Sequence, residues 1–202
     1  MRDPENIASV AELRPDYMGF IFYKRSPRYA GDMPECAINA LPKEIGKVGV
    51  FVNASYDEIG RIVDKYRLDM AQLHGDESAE FCATVRKLCS VIKGIGIESA
   101  ADVNQASKMY ANAADYLLFD SRTPVYGGSG KKFDRSALDN YGGDIPFFLS
   151  GGIGADDFAL NEITLPGFHA IDVNSRFEIA PALKNIKQLN EFFKRIKNYE
   201  PH

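Results

Sequence analysis

The feature that most constrains this chain is a regular alternation of short apolar segments with longer amphipathic ones. The apolar segments lack a clean polar–apolar alternation, which is typical of strands covered on both faces. Strict alternation of strands and helices predicts a parallel sheet with right-handed crossovers. The seven predicted strands cover 17–22, 47–52, 70–74, 90–95, 115–120, 145–150 and 167–173.

The chain begins on a helix rather than on a strand. Asp3 can cap this helix, Pro4 suits its first turn, and Ile7, Val10 and Ala11 share one face. Seven strands and eight helices, with a helix at each end, match an eightfold α/β barrel without its first strand. An open doubly wound sheet fits the same count. The predicted helices lie near 4–14, 35–41, 55–66, 77–88, 100–111, 134–140, 155–161 and 181–196.

Composition limits the class of protein and its partners. A chain of 202 residues can fill one large core, and we expect a single domain over residues 1–202. The net charge of −4 argues against nucleic acid or an anionic membrane as the main partner. The three cysteines have no metal-ligand spacing and suit a reducing cytoplasm. No apolar run approaches the roughly 20 residues of a membrane span.

Asp120 ends the fifth predicted strand, where α/β proteins place functional side chains. A carboxyl group at the mouth of an apolar strand can have a raised pKa and act as a general acid. Capping of the following turn is the alternative role. The long loop at 121–133 is typical of a lid, and its GGSGKK lacks the P-loop and dinucleotide-binding patterns.

Two later loops have the composition of a phosphate site. In LSGGIGADD the backbone N–H groups of Gly152 and Ile153 can face an anion at a helix start. In DVNSRFE, Ser175 follows the seventh strand, and barrels often bind phosphate with the loops after their last two strands. Ordinary turns are the alternative for each loop.

Two other polar positions also follow strands. Arg28 lies in the loop after the first strand and suits a substrate carboxylate, which a guanidinium grips through two parallel hydrogen bonds. Gln72 and His74 close the third strand, and either can face a central cavity. A solvated arginine and a structural histidine are the alternatives.

In order along the chain, SPRY, VGVFVN, QLHGDES, LLFDSRTPVYGGSGKKFD, LSGGI and IDVNSRFE resemble the motifs of phosphoribosylanthranilate isomerases of tryptophan biosynthesis. The resemblance runs from Met1 to the last helix and implies a (β/α)₈ TIM barrel. It implies an intramolecular oxidoreductase of the aldose–ketose isomerase type. The reaction is an Amadori rearrangement of N-(5-phosphoribosyl)anthranilate to 1-(2-carboxyphenylamino)-1-deoxyribulose 5-phosphate, without cofactor or metal.

The resemblance also implies roles for individual residues. Asp120 matches the general acid that opens the furanose ring, and Arg28 matches the residue that binds the anthranilate carboxylate. His74 and Asp172 line the same mouth and complete the substrate-binding set. The implied partner is a small phosphosugar, with neither nucleic acid nor membrane. The residues that fall where the family binds phosphate are Gly151, Gly152, Ile153, Asn174 and Ser175.

The sequence departs from the family pattern at two places. The family's general base is a cysteine in a K-[VI]-C-G-M-[RT] motif, and Met1 matches the methionine of that motif. Loss of a general base costs ~10²–10⁴-fold, so we expect impaired activity, with a non-catalytic phosphosugar-binding barrel as the alternative. Arg176 stands where the family usually has glycine, and we expect it to contact the phosphate.

The absent first strand has a structural consequence as well. A closed barrel has no edges, whereas a barrel without this strand exposes the edges of the segments at 17–22 and 167–173. We therefore expect the chain to form a homo-oligomer through the exposed barrel edge, or to fill the gap with another segment.

Overall fold

A computed structural model describes residues 1–31, 33–121, 135–139, 141–155 and 165–197 of the chain. Seven parallel strands form one sheet in sequential order, each paired with the next strand along the chain. A doubly wound sheet reverses its strand order at a switch point. The strand order of this sheet does not reverse, so the described residues form the curled wall of an α/β barrel. The strands are β1 (Tyr17–Ile21), β2 (Gly46–Phe51), β3 (Met70–Leu73), β4 (Ser90–Ile97), β5 (Tyr116–Ser121), β6 (Phe147–Leu149) and β7 (Phe168–Ile171).

Helices follow the strands along the chain, and the first one is capped as predicted. Asp3 Oδ1 accepts a hydrogen bond of 2.7 Å from the backbone N–H of Asn6, and Pro4 occupies the first turn. The α-helices are α1 (Pro4–Ala11), α2 (Glu35–Asn39), α3 (Tyr56–Tyr66), α4 (Ala79–Val85), α5 (Ala100–Tyr110) and α6 (Ile186–Lys197).

Two predicted helices differ from the structure. Within the described residues 135–139 of the segment predicted as a helix at 134–140, the structure has a short 3₁₀ turn, Arg135–Leu138. The last helix begins at Ile186 rather than at residue 181, because an antiparallel hairpin of β8 (Glu178–Ala180) and β9 (Leu183–Lys184) precedes it. Ala182 turns this hairpin with a left-handed φ of 69°. Residues 122–134 and 156–164, with most of the predicted lid loop and of the helix near 155–161, lie outside the described residues.

The apolar side chains divide into a core inside the barrel and a larger core between the strands and the helices. The inner core stacks one residue from each of five neighbouring strands, which explains why the strand sequences are apolar on both faces. The inner-core residues are Val48, Met70, Ile92, Leu118 and Phe148.

None of the described helices combines the length and apolarity that a membrane crossing needs.

In the described part of the chain β1 and β7 are the two end strands of the sheet. The Tyr17 hydroxyl lies 2.7 Å from Nε2 of His169 and joins the two strands at one point. A Cβ at Gly19 of β1 would meet no atom within 4 Å. The seam between the two end strands is therefore closed by side chains at one position and open beside Gly19.

Candidate active site

One cavity of about 510 Å³ lies at the carboxyl ends of the strands and extends into the seam between β1 and β7. It gathers polar groups from the carboxyl end of β5 and from the loops after β1, β3, β6 and β7, as expected for a barrel mouth. Every site residue named from the sequence lines this cavity. These residues are Arg28, His74, Asp120, Gly151, Gly152, Ile153, Asp172, Asn174 and Ser175.

His74 and Asp120 face each other across the mouth. Nε2 of His74 lies 3.8 Å from Oδ2 of Asp120, close enough for electrostatic interaction but beyond hydrogen-bond distance. On the other side of the ring, Nε2 of Gln72 lies 3.0 Å from Nδ1. Because an amide nitrogen only donates, Nδ1 accepts and the neutral ring carries its proton on Nε2, facing Asp120.

Burial lowers the pKa of His74 below its ordinary value, and the nearby Asp172 carboxylate only partly opposes this effect. Asp172 directly follows β7, and its Oδ2 accepts a hydrogen bond of 3.1 Å from the hydroxyl of Ser150. The imidazole is therefore neutral at pH 7. It can donate a hydrogen bond from Nε2 without adding a positive charge to the mouth.

The loop after β6 has the backbone of an anion-binding turn. Gly151 and Gly152 have φ values of 98° and 64°, which L side chains rarely adopt. Within the described residues, the N–H groups of Gly152 and Ile153 have no hydrogen-bond partner. Ser175 begins a 3₁₀ turn after β7, on the same cavity wall. These groups can together bind a phosphate.

Arg28 is held by a carboxylate at this mouth. Its Nε donates a hydrogen bond of 2.8 Å to Oε2 of Glu178, and the two side chains are 15% and 4% exposed. Among the described residues no acceptor contacts the two terminal nitrogens of the guanidinium. Arg28 is thus paired through one nitrogen, and the two-pronged end of its side chain remains available to a ligand in the cavity.

Glu178 and Lys184 are functional candidates that the sequence analysis did not identify. Lys184 Nζ lies 3.0 Å from Oε1 of Glu178 and donates to the carbonyl and side-chain oxygens of Asn174 at 3.1 and 2.6 Å. Burial alone would raise the pKa of Glu178, but Lys184 and Arg28 outweigh it and lower that pKa. Burial lowers the pKa of Lys184, and Glu178 partly opposes the effect.

The three cysteines lie away from the cavity. Cys36 is exposed on α2, Cys82 is buried on α4, and Cys89 precedes β4. Burial raises the pKa of the Cys82 and Cys89 thiols to about 11. These cysteines supply no thiolate base to the mouth. Over the part of the chain that the structure describes, no group of three or more histidine, cysteine or acidic side chains could hold a metal ion.

Comparisons with known proteins agree on one family. A family model described as N-(5'phosphoribosyl)anthranilate (PRA) isomerase matches residues 1–195. The N-(5'-phosphoribosyl)anthranilate isomerase of Parabacteroides distasonis is 44% identical over 200 residues, covering 97% of this chain and 90% of that protein. The enzyme of the same name from Phocaeicola vulgatus is 38% identical over 199 residues, covering 98% and 95%.

Solved structures show the same similarity. Phosphoribosyl anthranilate isomerase from Thermotoga maritima is 30% identical with a TM-score of 0.83, covering 98% of this chain and 96% of that one. Another structure holds the isomerase in complex with reduced 1-(o-carboxyphenylamino)-1-deoxyribulose 5-phosphate. It is 26% identical, with a TM-score of 0.79 and the same coverage. A further structure describes monomers made from the dimeric Thermotoga maritima enzyme, at 27% identity and a TM-score of 0.78, again with this coverage.

Proposed function

The chain belongs to the N-(5'-phosphoribosyl)anthranilate isomerase family, and we propose how the residues of its cavity carry out the family's reaction. The chain is an isomerase of tryptophan biosynthesis, and its substrate is a small phosphosugar compound. The observation that carries the assignment of roles is the meeting of an acid, an arginine and a glycine turn in one cavity.

The two ends of the substrate bind at different loops. The phosphate binds the N–H groups of the Gly151–Ile153 turn, with the backbone and hydroxyl of Ser175 opposite. The anthranilate carboxylate binds the terminal nitrogens of Arg28 through two parallel hydrogen bonds. The ribose then spans the centre of the mouth, where Asp120, His74 and Asp172 lie.

Asp120 is the general acid of the first step. It gives its proton to the furanose ring oxygen, the bond from that oxygen to C1 breaks, and the anthranilate nitrogen forms a Schiff base with C1. Loss of this proton leaves Asp120 as a carboxylate. The neutral His74 faces that carboxylate with its Nε2 proton and can donate a hydrogen bond there. A base then removes the C2 proton, and the resulting enolamine tautomerises to the ketone product.

No described cysteine lines the cavity, so the described residues do not supply the thiol that the family motif provides as the C2 base. This observation favours a second candidate function, binding of a phosphosugar without turnover. We propose further that residues 1–202 fold as one domain, that the protein acts in the cytoplasm, and that it forms a homo-oligomer through the β1 and β7 edges.

The proposed function is tested by binding and by turnover with the same proteins. Binding is measured with reduced 1-(o-carboxyphenylamino)-1-deoxyribulose 5-phosphate, and turnover by the fluorescence decay of N-(5'-phosphoribosyl)anthranilate. The proteins are the 202-residue chain and a version carrying Lys-Val-Cys-Gly before Met1. We expect both to bind the analogue and the extended version to turn over faster, by ~10²–10⁴-fold, because it carries the thiol base.

Asp120→Asn in the extended version tests the acid. We expect turnover to fall by ~10²–10⁴-fold with analogue binding nearly unchanged, since the analogue needs no proton transfer. Failure of the 202-residue chain to bind the analogue would contradict the proposed function. Binding without turnover in both versions would support the second candidate.

A further inference from the structure

We propose that Glu178 is a positioning residue for substrate binding, which holds the guanidinium of Arg28 so that its free end faces the anthranilate carboxylate. The inference deepens the proposed function and rests on it. It concerns four side chains that we call the mouth network, namely Arg28, Glu178, Lys184 and Asn174.

The geometry of Arg28 is the first support. An arginine binds a carboxylate best when both terminal nitrogens, or one of them and Nε, point at the two oxygens in one plane. Here Nε is already used by Glu178 at 2.8 Å, so the ligand must take the two terminal nitrogens. Fixing Nε removes much of the rotational freedom that the long side chain would otherwise lose when the substrate binds.

The position of Glu178 is itself fixed, which a positioning residue requires. Its Oε1 accepts from Lys184 Nζ at 3.0 Å and from the backbone N–H of Ala182 at 3.3 Å, while Oε2 accepts from Arg28. The side chain is only 4% exposed. Both carboxylate oxygens are therefore engaged, and the group cannot turn away from Arg28 without losing buried hydrogen bonds.

Charge balance is the second support. Glu178 is an anion beside the place where a second anion, the substrate carboxylate, has to bind. Because Lys184 also contacts Glu178, the two cations exceed the one anion, and the mouth network keeps one net positive charge. Lys184 thus allows Glu178 to orient Arg28 without repelling the ligand.

Lys184 also connects the two ends of the site. Its Nζ donates to both oxygens of Asn174, which immediately precedes the phosphate-binding Ser175. Its backbone is held by Asn6 of α1, whose side chain exchanges two hydrogen bonds with Lys184, at 2.8 and 3.0 Å. The carboxylate end and the phosphate end of the cavity are therefore attached to one rigid hairpin.

The test separates positioning of Arg28 from a general loss of structure. Two ligands are titrated by calorimetry into each protein: the reduced carboxyphenylamino compound, which carries both anionic ends, and ribose 5-phosphate, which has no carboxylate. The variants are Glu178→Gln, Arg28→Gln, the double variant, and Glu191→Gln as a charge-matched control at an exposed position of α6.

In Glu178→Gln we expect the carboxylate-bearing ligand to bind about tenfold more weakly, with ribose 5-phosphate within about twofold of wild type. In the Arg28→Gln background, Glu178→Gln should have little further effect on the carboxylate-bearing ligand, because the two residues act through one contact. Glu191→Gln should match wild type for both ligands.

Equal weakening of both ligands, unchanged binding of the carboxylate-bearing ligand, or additive effects in the double variant would each overturn the inference. Failure of the wild-type chain to bind either ligand would instead contradict the proposed function, and the inference would fall with it. If Glu178→Gln does not fold, Glu178→Asp is tested instead. This variant keeps the negative charge, but its shorter side chain places the carboxylate farther from Arg28. We expect the same selective loss from that variant.

Discussion

His74 affects both the chemistry of the cavity mouth and the stability of the fold. Its side chain is 20% exposed and lies between Gln72 and Asp120. Burial lowers its pKa, so in the folded chain it binds a proton only at a lower pH than in the unfolded chain. The unfolded state therefore binds more protons just below the ordinary histidine pKa, and acid favours unfolding there.

We predict that the stability contributed by neutral His74 is fully present above pH ~6.5 and is lost as pH falls through the lowered folded pKa. Denaturant unfolding at a series of pH values checks this in wild type and His74→Gln. The variant should lose less stability between neutral and mildly acidic pH. The exposed His169, whose pKa burial also lowers, should give a smaller change when substituted in the same way. Identical pH profiles for wild type and His74→Gln would contradict the prediction.

Arg176 is exposed on the cavity wall directly after Ser175. We predict that Arg176→Ala weakens ribose 5-phosphate binding by about three- to tenfold, because a charge-assisted contact to the phosphate is lost. The loss should shrink at high salt, where an exposed charge is screened. Arg61→Ala on the exposed face of α3 is the matched control. Unchanged phosphate affinity in Arg176→Ala would rule out the contact.

Individual site residues could be predicted where position along a strand decides their location. His74 and Asp120 end predicted strands and Asp172 lies next to the end of another, and parallel strands bring such residues to one mouth. Glu178 and Lys184 could not be predicted in this way. They lie in a hairpin whose turn depends on Ala182 in a left-handed conformation, and nothing in an alanine signals that backbone.

At the scale of elements, a buried ion pair joins β4 to the turn after β3. Lys93 and Glu77 are 2% and 3% exposed, and Lys93 Nζ lies 3.0 Å from Oε2 of Glu77. The same nitrogen donates to the carbonyl groups of Leu73 and Gly75, and the Glu77 carboxylate accepts from the backbone N–H groups of Asn53 and Gly75. The pair thus fixes the turn that carries His74.

We predict that Lys93→Met or Glu77→Gln alone destabilises the fold by ~3–5 kcal/mol, because each leaves a buried partner without its counter-charge. The double variant should be less destabilised than the sum of the two single variants. Urea unfolding of the four proteins measures this. Strictly additive losses would show that the two side chains act independently.

The element boundaries show where sequence patterns suffice. The first predicted strand, 17–22, is observed at Tyr17–Ile21, and the fourth, 90–95, is observed at Ser90–Ile97. Both were located closely because a buried apolar run is a strong indication of a strand. The prediction for the end of the chain was less accurate. The predicted start of the last helix at residue 181 was wrong because Asn185, not a residue before Pro181, caps α6 through the backbone N–H of Gln188.

At the scale of the whole molecule, β1 and β7 end the sheet within the described residues, and apart from a bridge between Ile21 and Tyr29 another strand could pair with their edges. We predict that the 202-residue chain self-associates through these edges in a concentration-dependent way. Gly19→Lys adds a charge at the open part of the seam and should shift the chain toward monomer, as measured by light scattering after size exclusion. Gly142→Lys is the matched control, because a Cβ there also meets no atom within 4 Å.

A wild-type chain that remains monomeric at high concentration would contradict this prediction, as would equal effects of the two lysine variants. The overall barrel could be predicted only with the family motifs, because the alternation of strands and helices alone also fits an open doubly wound sheet. The seam could not be described from the sequence, since the bond between Tyr17 and His169 depends on how far the sheet curls.

The contacts across that seam also bear on the order in which the molecule assembles. The sheet pairs each strand with its sequence neighbour, so it can form by successive closure of short loops. The contacts between Tyr17 and His169, Arg28 and Glu178, and Asn6 and Lys184 join residues 152, 150 and 178 positions apart. Because these contacts close long loops, we expect them to form last. During refolding, the ability to hold the substrate's carboxylate should therefore appear only after the sheet is complete.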